Sequence, residues 1–162
     1  MKQLVFVTTS VVLLSLAACT GTKKAPQATK RDLMGHWELV STQIEGIDNA
    51  TKVKITSFDD VALDCLIGSQ WSFPNSGYGS YNITKTGCAT GERQILWSQR
   101  TSGGKTLLNF KKMDGVKKSD SKRVEEGYTL DVVEFGKDFI KAESPASFEG
   151  KTIYLIYNFR KI

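Results

Sequence analysis

The sequence is poor in the residues from which most metal and catalytic sites are built. Its 162 residues include a single histidine, His36, and three cysteines. One histidine excludes a metal site that needs two, and no G-x-S-x-G elbow is present to suggest a serine nucleophile. No C-x-x-C pair and no glycine-rich phosphate loop occurs either. We therefore expect no metal, no cofactor and no catalytic residue, and a protein that is not an enzyme.

Long apolar runs are equally scarce, and the one that stands out begins the chain. Residues 4–16 are largely apolar, follow Lys2, and are too few to span a bilayer as a helix. The tetrad L-A-A-C at residues 16–19 comes next, with small residues before Cys19. This arrangement is typical of a secretory signal peptide, which we predict over residues 1–18. The alternative is an ordinary signal peptide in which Cys19 stands by chance.

The same tetrad resembles the lipobox of bacterial lipoproteins. The resemblance implies that Cys19 is lipidated on its sulfur and becomes the acylated N-terminus after cleavage. Each buried acyl methylene adds roughly 0.8 kcal/mol of membrane affinity, so several chains anchor a protein stably. Thr20 stands where an inner-membrane retention signal usually has aspartate. We therefore expect a lipid anchor in the outer membrane, on its periplasmic face or at the cell surface.

The next residues have a composition that does not support a core. Residues 20–31 are polar and basic, with no aromatic and no branched aliphatic residue. This predicts a flexible tether over residues 19–31 and a folded domain over residues 32–162, a length suited to one core. The net charge of +5 is mild and spread along the chain, so we expect no nucleic-acid partner.

Two cysteines remain in the folded part, Cys65 and Cys88. In an exported protein an even pair usually forms a disulfide, which would stabilise the fold by roughly 3 kcal/mol. Two buried free thiols are the alternative.

Alternating apolar and polar residues predict that most of the domain is β-strand. In the first run, residues 36–45, alternation places Trp37, Leu39, Ser41 and Gln43 on one face. Seven further runs follow at short intervals, at residues 69–73, 77–84, 93–101, 105–113, 127–135, 138–144 and 151–161. Eight antiparallel strands favour a closed barrel, whose interior holds either side chains or one small ligand.

Residues 57–68 have a different period. Apolar residues at positions 58, 61, 62, 65 and 66 form a helical stripe. Ser57 and Asp60 have the spacing of a capping box, Asp59 and Asp60 suit a helix N-terminus, and Gly68 suits a helix end. We therefore predict one short helix between the first two strands.

Two stretches of the domain carry a resemblance to a family. Gly35-His36-Trp37 resembles the G-x-W signature of the lipocalin superfamily, and CLIGSQWSFPNSGYGSY, residues 65–81, resembles the lipocalin-like domains of small lipoproteins from Bacteroidota-type bacteria. The resemblance implies an all-β, eight-stranded lipocalin-like barrel in which Trp37 plugs the closed end. It also implies a basic residue of the last strand over that ring, Arg160 first and Lys161 second, through a cation–π contact. The T-D-Y-type motif of the family is absent, and TLDVVEFG, residues 129–136, is the nearest text.

Aromatic residues in the predicted strands suggest a candidate ligand pocket. Its members are Ser41, Gln43, Trp71, Phe73, Tyr81, Trp97 and Tyr157. The alternative is that these aromatic residues fill a packed core. The first interpretation predicts a non-catalytic binder of a small hydrophobic molecule. The second predicts a structural or interaction protein, with a filled barrel that docks a protein partner or inhibits an enzyme.

Charged residues of both signs dominate residues 111–127. We interpret this segment as a solvated loop between strands. Contact with anionic lipid headgroups near the anchor is the alternative, which the mixed signs weaken.

Overall fold

A computed structural model describes residues 27–47, 54–113 and 127–162 of the chain. The predicted signal peptide, Cys19 with its lipid, most of the tether and residues 114–126 lie outside the described residues, so the expectations for them stay predictions. In the three described ranges, no helix is long and apolar enough to cross a membrane.

Eight antiparallel strands form one closed barrel, which confirms the predicted fold class. Each barrel strand pairs with its neighbour in the sequence, and the first strand pairs with the last to close the barrel. In chain order the elements are α1 (Lys30–Leu33), β1 (Gly35–Glu45), β2 (Thr56–Ser57), β3 (Val61–Ala62), the 3-10 turn η1 (Leu63–Leu66), β4 (Gln70–Phe73), β5 (Tyr78–Ile83), β6 (Gly91–Ser102), β7 (Lys105–Lys112), β8 (Tyr128–Phe135), β9 (Phe139–Phe148) and β10 (Lys151–Lys161). The barrel consists of β1 and β4 to β10.

The segment between the first two barrel strands differs from the predicted helix. Its helical part is only η1, and β2 and β3 pair with each other as a separate two-stranded sheet, here called the hairpin, residues 56–62. Phe58 and Asp59 at its turn have φ of 56° and 46°, which a right-handed helix does not admit. The expected helix N-terminus at Ser57 is therefore wrong. The apolar stripe is buried by folding the segment over the barrel instead.

A β-bulge in β1 corrects the predicted faces of this strand. The register with β10 shifts between Leu39 and Ser41, so the residues that follow change sides. Beyond the bulge, Thr42 pairs with the buried Tyr157 and therefore shares its inward face. Ser41 instead accepts a hydrogen bond from Asn158 Nδ2 at 3.1 Å, and Gln43 is exposed.

The chain before β1 lies against one end of the barrel. The Ala28 carbonyl is buried, where it accepts hydrogen bonds from Gln99 Nε2 at 3.1 Å and Thr106 Oγ1 at 3.3 Å. The Gln27 side chain donates to the Gly104 carbonyl in the β6–β7 turn at 2.9 Å. Ordered contacts therefore begin several residues before position 32, where composition places the domain boundary. The polar side chains of Gln99 and Thr106, within the strands, hold this segment.

α1 is short and is fixed at its start by its own side chains. The backbone N–H and the hydroxyl of Thr29 donate to Asp32 Oδ2 at 2.8 and 2.7 Å. These hydrogen bonds, the side-chain one foremost, lower the pKa of Asp32. Trp37 Nε1 donates to the Leu33 carbonyl at 2.9 Å, so α1 covers the same end of the barrel that Trp37 occupies.

Candidate functional site

Trp37 closes one end of the barrel, called here the closed end, together with α1 and Lys161. Lys161 is the direct partner of Trp37 in the β1–β10 register, and its Nζ lies 5.2 Å from the indole centroid. Gly35 permits this approach, because a Cβ at this position would stand 3.3 Å from Lys161 Cε and the residue has φ of +130°. The expected basic residue over Trp37 is therefore Lys161, the second choice, and not Arg160.

Arg160 faces the outer side of the barrel, because neighbouring residues of a strand point to opposite faces. Its Nη2 donates to Glu38 Oε2 at 2.7 Å, in an ion pair whose two side chains are 64% and 30% exposed. Arg160 is thus a surface residue at this end, and its prediction as the barrel-closing base is wrong.

Most of the predicted pocket is filled core. Trp71, Phe73, Tyr81 and Trp97 are at most 2% exposed and pack on one another. The rings of Trp71 and Tyr81 stack at 4.4 Å, and those of Phe73 and Trp97 lie 5.1 Å apart. Ser41 and Gln43 lie outside this interior. Among the seven candidates, Tyr157 lines a cavity at one end of the barrel, and Trp71 also borders a concavity on the outer wall.

That cavity lies at the opposite end of the barrel, called here the open end. It is half-open and has a volume of about 480 Å³, within the range of small-molecule sites. The hairpin and the strands β8, β9 and β10 supply its walls. The lining residues are Ile55, Thr56, Ser57, Phe58, Gly127, Tyr128, Thr129, Asp131, Ser144, Pro145, Ala146, Leu155 and Tyr157.

The cavity opens where β8 and β9 part. Their backbone pairing runs from Phe135↔Ile140 to Asp131↔Glu143 and ends there in the described chain, although β9 stays paired with β10 as far as Phe148. Pro145, two residues beyond Glu143, has no N–H with which to continue a ladder. The wall between the start of β8 and the end of β9 is therefore notched.

A cluster of three hydroxyls lies on the inner wall of the cavity. The Tyr157 hydroxyl is 2.9 Å from Ser57 Oγ and 3.4 Å from Ser144 Oγ. Burial raises the pKa of Tyr157, so this hydroxyl is neutral at pH 7. A hydroxyl both donates and accepts hydrogen bonds, so the cluster adds a neutral polar point to a mainly apolar wall that also carries Thr56, Thr129 and Asp131.

Phe58 at the tip of the hairpin inserts among four aromatic rings from four strands, called here the aromatic cage. The ring centroids of Phe110, Tyr128, Tyr157 and Trp71 lie 4.9, 5.3, 5.4 and 5.9 Å from that of Phe58. Tyr157 is stacked on Phe58 and the other three rings are in edge-to-face arrangements with it, both of which are favourable geometries. Phe58 is 6% exposed and separates the cavity from the filled core.

Asp60 fixes one side of the hairpin through a nearly buried ion pair. Arg93 donates from Nε and Nη2 to its two oxygens at 2.9 and 3.2 Å, and the Tyr81 hydroxyl donates at 2.7 Å. Burial alone would raise the pKa of Asp60, but the hydrogen bonds from Arg93 and Tyr81 outweigh it and lower the pKa. Burial, followed by the Asp60 carboxylate, raises the pKa of Tyr81.

Asp59 fixes the other side of the hairpin. Its carboxylate accepts a hydrogen bond from the Tyr128 hydroxyl at 3.0 Å, and its carbonyl accepts one from Lys112 Nζ at 3.1 Å. Burial, together with the bond to Asp59, raises the pKa of Tyr128 to about 12. Both carboxylates that seemed suited to a helix N-terminus thus bind tyrosines of the barrel.

The predicted disulfide between Cys65 and Cys88 is confirmed. It joins η1 to the connection between β5 and β6, with Cα atoms 5.8 Å apart. The chain leaving the hairpin is therefore covalently tied to the barrel a few residues after β3.

His36 is exposed on the outer wall, at the rim of a second concavity of about 610 Å³. Most of the side chains that line it are polar, on the outward faces of β1, β4, β5 and β6; its lining residues are His36, Gln70, Trp71, Ser72, Ser80, Asn82, Glu92 and Ile162. Within the described ranges, no cluster of three or more His, Cys, Asp or Glu residues could hold a metal ion.

Comparisons with protein-family models, with curated proteins and with solved structures each return no match. The resemblance to lipocalin-like lipoproteins therefore stays a prediction.

Sequence reasoning missed the residues that give the open end its shape, which are Phe58, Tyr128, Ser144 and Pro145. A signal existed in the order Ser-Phe-Asp-Asp at residues 57–60, because aspartate is common in tight turns and tolerates positive φ. A helix and a turn that buries its apolar residue can show the same spacing of apolar residues. This spacing therefore did not distinguish the two structures.

Proposed function

We propose that this protein is a membrane-anchored, non-catalytic binder of a small hydrophobic molecule. The observation that carries the proposal is the half-open cavity of about 480 Å³ at the open end, with a neutral hydroxyl cluster on a mainly apolar wall. Ligand sites are typically apolar and concave, with a few polar groups that fix orientation.

The filled interior limits the size of the ligand. Trp71, Phe73 and Tyr81 are each at most 1% exposed below the cavity, so a long acyl chain has no channel along the barrel axis. We therefore expect compact ligands to bind and long-chain fatty acids to bind weakly.

The binding test uses the chain from Thr20 onward, without Cys19, purified natively. A mass excess in native mass spectrometry that is lost on denaturation would reveal a retained ligand, and extraction would identify its chemical class. Titration with a panel of compact hydrophobic molecules and with fatty acids, followed by tryptophan fluorescence, gives the affinities. Tyr157→Phe and Ser144→Ala should weaken binding, whereas Ser80→Ala, the matched change on the outer wall, should not.

The anchor has a separate test. Metabolic labelling with a radioactive fatty acid should label the wild-type chain, and Cys19→Ser should abolish the label and release the protein from the outer-membrane fraction. A labelled Cys19→Ser variant would contradict lipidation at this position.

The filled lower interior favours a second candidate, an interaction protein that docks a protein partner or inhibits an enzyme. It predicts no retained mass and no response to any molecule of the panel. Cross-linking on intact cells at exposed outer positions such as Tyr154, which is 41% exposed, would then reveal the partner.

A further inference from the structure

We propose that Phe58 occupies the place of the ligand's own ring, and that the ligand is a neutral molecule with a planar aromatic ring that enters the aromatic cage by displacing Phe58. This inference rests on the proposed function and names the chemical class of its ligand. It follows from three features of the open end: the cage around Phe58, the way in which the hairpin is attached, and the chemistry of the groups beside the ring.

The aromatic cage can hold an aromatic ring of Phe58 or of a ligand, because its contacts depend on the ring and not on the molecule that carries it. It holds one ring nearly parallel to that of Phe58, Tyr157 at an interplanar angle of 21°, and three steeply inclined rings, Phe110, Tyr128 and Trp71 at 60° to 77°. Stacked and edge-to-face contacts both require a flat π-system at the centre. A planar aromatic ring reproduces all of these contacts, whereas a saturated ring reproduces none of their geometry.

The hairpin that carries Phe58 is not part of the barrel's hydrogen-bond ladder. β2 and β3 pair only with each other, as a sheet separate from the barrel. Side chains hold the hairpin in place, including the hydroxyls of three tyrosines: Tyr157 on Ser57, Tyr128 on Asp59 and Tyr81 on Asp60. Withdrawing the hairpin therefore breaks side-chain contacts but no strand pairing of the barrel.

The turn of the hairpin holds the bulky residue Phe58 in a backbone conformation that favours glycine. Phe58 and Asp59 are consecutive non-glycine residues with φ of 56° and 46°, a conformation that L-residues adopt reluctantly. The disulfide at Cys65 ties the chain to the barrel a few residues after β3. The disulfide therefore keeps the hairpin beside the barrel when it leaves the cage, so that it can return.

The groups beside the ring specify a neutral ligand with one hydrogen-bonding substituent. The hydroxyl cluster of Tyr157, Ser57 and Ser144 stands next to the cage. When the hairpin withdraws, Ser57, Asp59 and Asp60 leave the cage with it. Asp131, the carboxylate of the barrel wall, is paired with Lys105 at 2.6 Å. The barrel therefore offers a ligand the neutral hydroxyls of Tyr157 and Ser144. A phenol has the required combination of ring and substituent.

The test uses the mature chain, residues 19–162, and a matched pair of probes, 4-methylphenol and 4-methylcyclohexanol. Both carry one hydroxyl and one methyl group, but only the first is planar. By calorimetry, the wild type should bind the phenol at least tenfold more tightly than the saturated alcohol. Phe58→Ala, which removes the competing ring, should bind the phenol at least tenfold more tightly than the wild type does. Phe58→Leu, which keeps apolar volume without a ring, should be intermediate and serves if Phe58→Ala does not fold.

Hydrogen exchange reports the displacement itself. On binding of the phenol to the wild type, the amides of residues 56–62 should exchange faster while those of β8 and β10 become more protected. Slower exchange in the hairpin, together with equal affinities of the wild type and Phe58→Ala for the phenol, would show that the ligand lies beside Phe58. That result would overturn the inference and leave the proposed function unaffected. Binding by Phe58→Ala alone would show that the cage is only packing, which also overturns it. Failure of every molecule of the wider panel on the wild type would instead remove the proposed function.

Discussion

The two ends of the barrel are built from similar residues in different ways. At the closed end, Trp37 belongs to β1, which is paired with β4 on one side and with β10 on the other, and α1 covers its ring. At the open end, Phe58 is also buried, but it belongs to a hairpin outside the barrel ladder, beside strands that part at Asp131↔Glu143. Backbone pairing secures one aromatic plug and side-chain hydrogen bonds secure the other. The first arrangement suits stability and the second suits exchange with a ligand.

Removing each of the two buried rings, Trp37 and Phe58, gives the strongest test of this difference between the ends. Trp37→Ala deletes a fully buried indole in a rigid setting and should lower the free energy of unfolding by about 3–5 kcal/mol. Phe58→Ala should cost less, because the hairpin can readjust. Urea denaturation of both variants measures the difference. Tyr154→Ala, at a position that is 41% exposed, serves as the control and should have a small effect. An equal or larger loss for Phe58→Ala would contradict the distinction between the ends.

The disulfide should be the next largest contribution, and it acts at the open end. It closes a loop with a sequence separation of 23 residues, so Cys65→Ser together with Cys88→Ser should cost about 3 kcal/mol. Thermal unfolding of the oxidised, reduced and doubly substituted proteins measures this cost. The reduced and substituted proteins should agree with each other, and a melting temperature unaffected by reduction would contradict the prediction.

The pH dependence should affect the two ends unequally. In the folded protein Tyr128 keeps its proton up to a pKa of about 12, against an ordinary value of 10.0. Its stabilising contribution is therefore complete below about pH 10 and is lost as the pH rises through about 12. The hairpin amides should lose protection from hydrogen exchange over this range before those of β1 do.

Tyr128→Phe is the matched variant for the alkaline effect. It should cost about 1 kcal/mol at pH 7, the net value of one hydrogen bond, and it should flatten the fall of stability between pH 10 and 12. An unchanged alkaline profile in this variant would assign the transition to other groups.

The smallest expected effect distinguishes two neighbouring cations at the closed end. Lys161→Met removes the cation over Trp37 and should cost about 0.5–1 kcal/mol. Arg160→Met removes only an exposed ion pair with Glu38 and should change the free energy of unfolding by less than about 0.5 kcal/mol. Equal effects of the two substitutions in chemical denaturation would show that the indole contact carries no specific energy.

The strands follow from the alternation of apolar and polar residues, and the disulfide follows from the even number of cysteines in the folded part. The role of Trp37 as a plug is what the resemblance of Gly35-His36-Trp37 to the G-x-W signature implies. A local sequence pattern does not show whether Arg160 or Lys161 covers Trp37. That choice depends on the register of β10 against β1, and a shift of one residue exchanges the inner and outer faces. The β-bulge after Leu39 has the same consequence for Ser41 and Gln43, since an inserted residue changes the side to which all later ones point.

The hairpin was unpredictable for a different reason. A helical stripe indicates which residues are buried together, but it does not distinguish a helix from an irregular segment that buries the same residues. Here the contacts of Asp60 with Arg93 and Tyr81 decide the conformation, and they join residues that are 33 and 21 positions apart. The open end therefore depends on long-range contacts, which no local pattern encodes.

The carbonyl of Ala28, held by Gln99 and Thr106, fixes where the chain enters the barrel. That point lies beside the β6–β7 turn, at the closed end, so the segment leading back to Cys19 attaches on the side away from the cavity. With the proposed anchor in place, the tether would join the end of the barrel that is farther from the notch. The mouth of the cavity would then lie a barrel's length from the point of attachment, so that the membrane need not cover it.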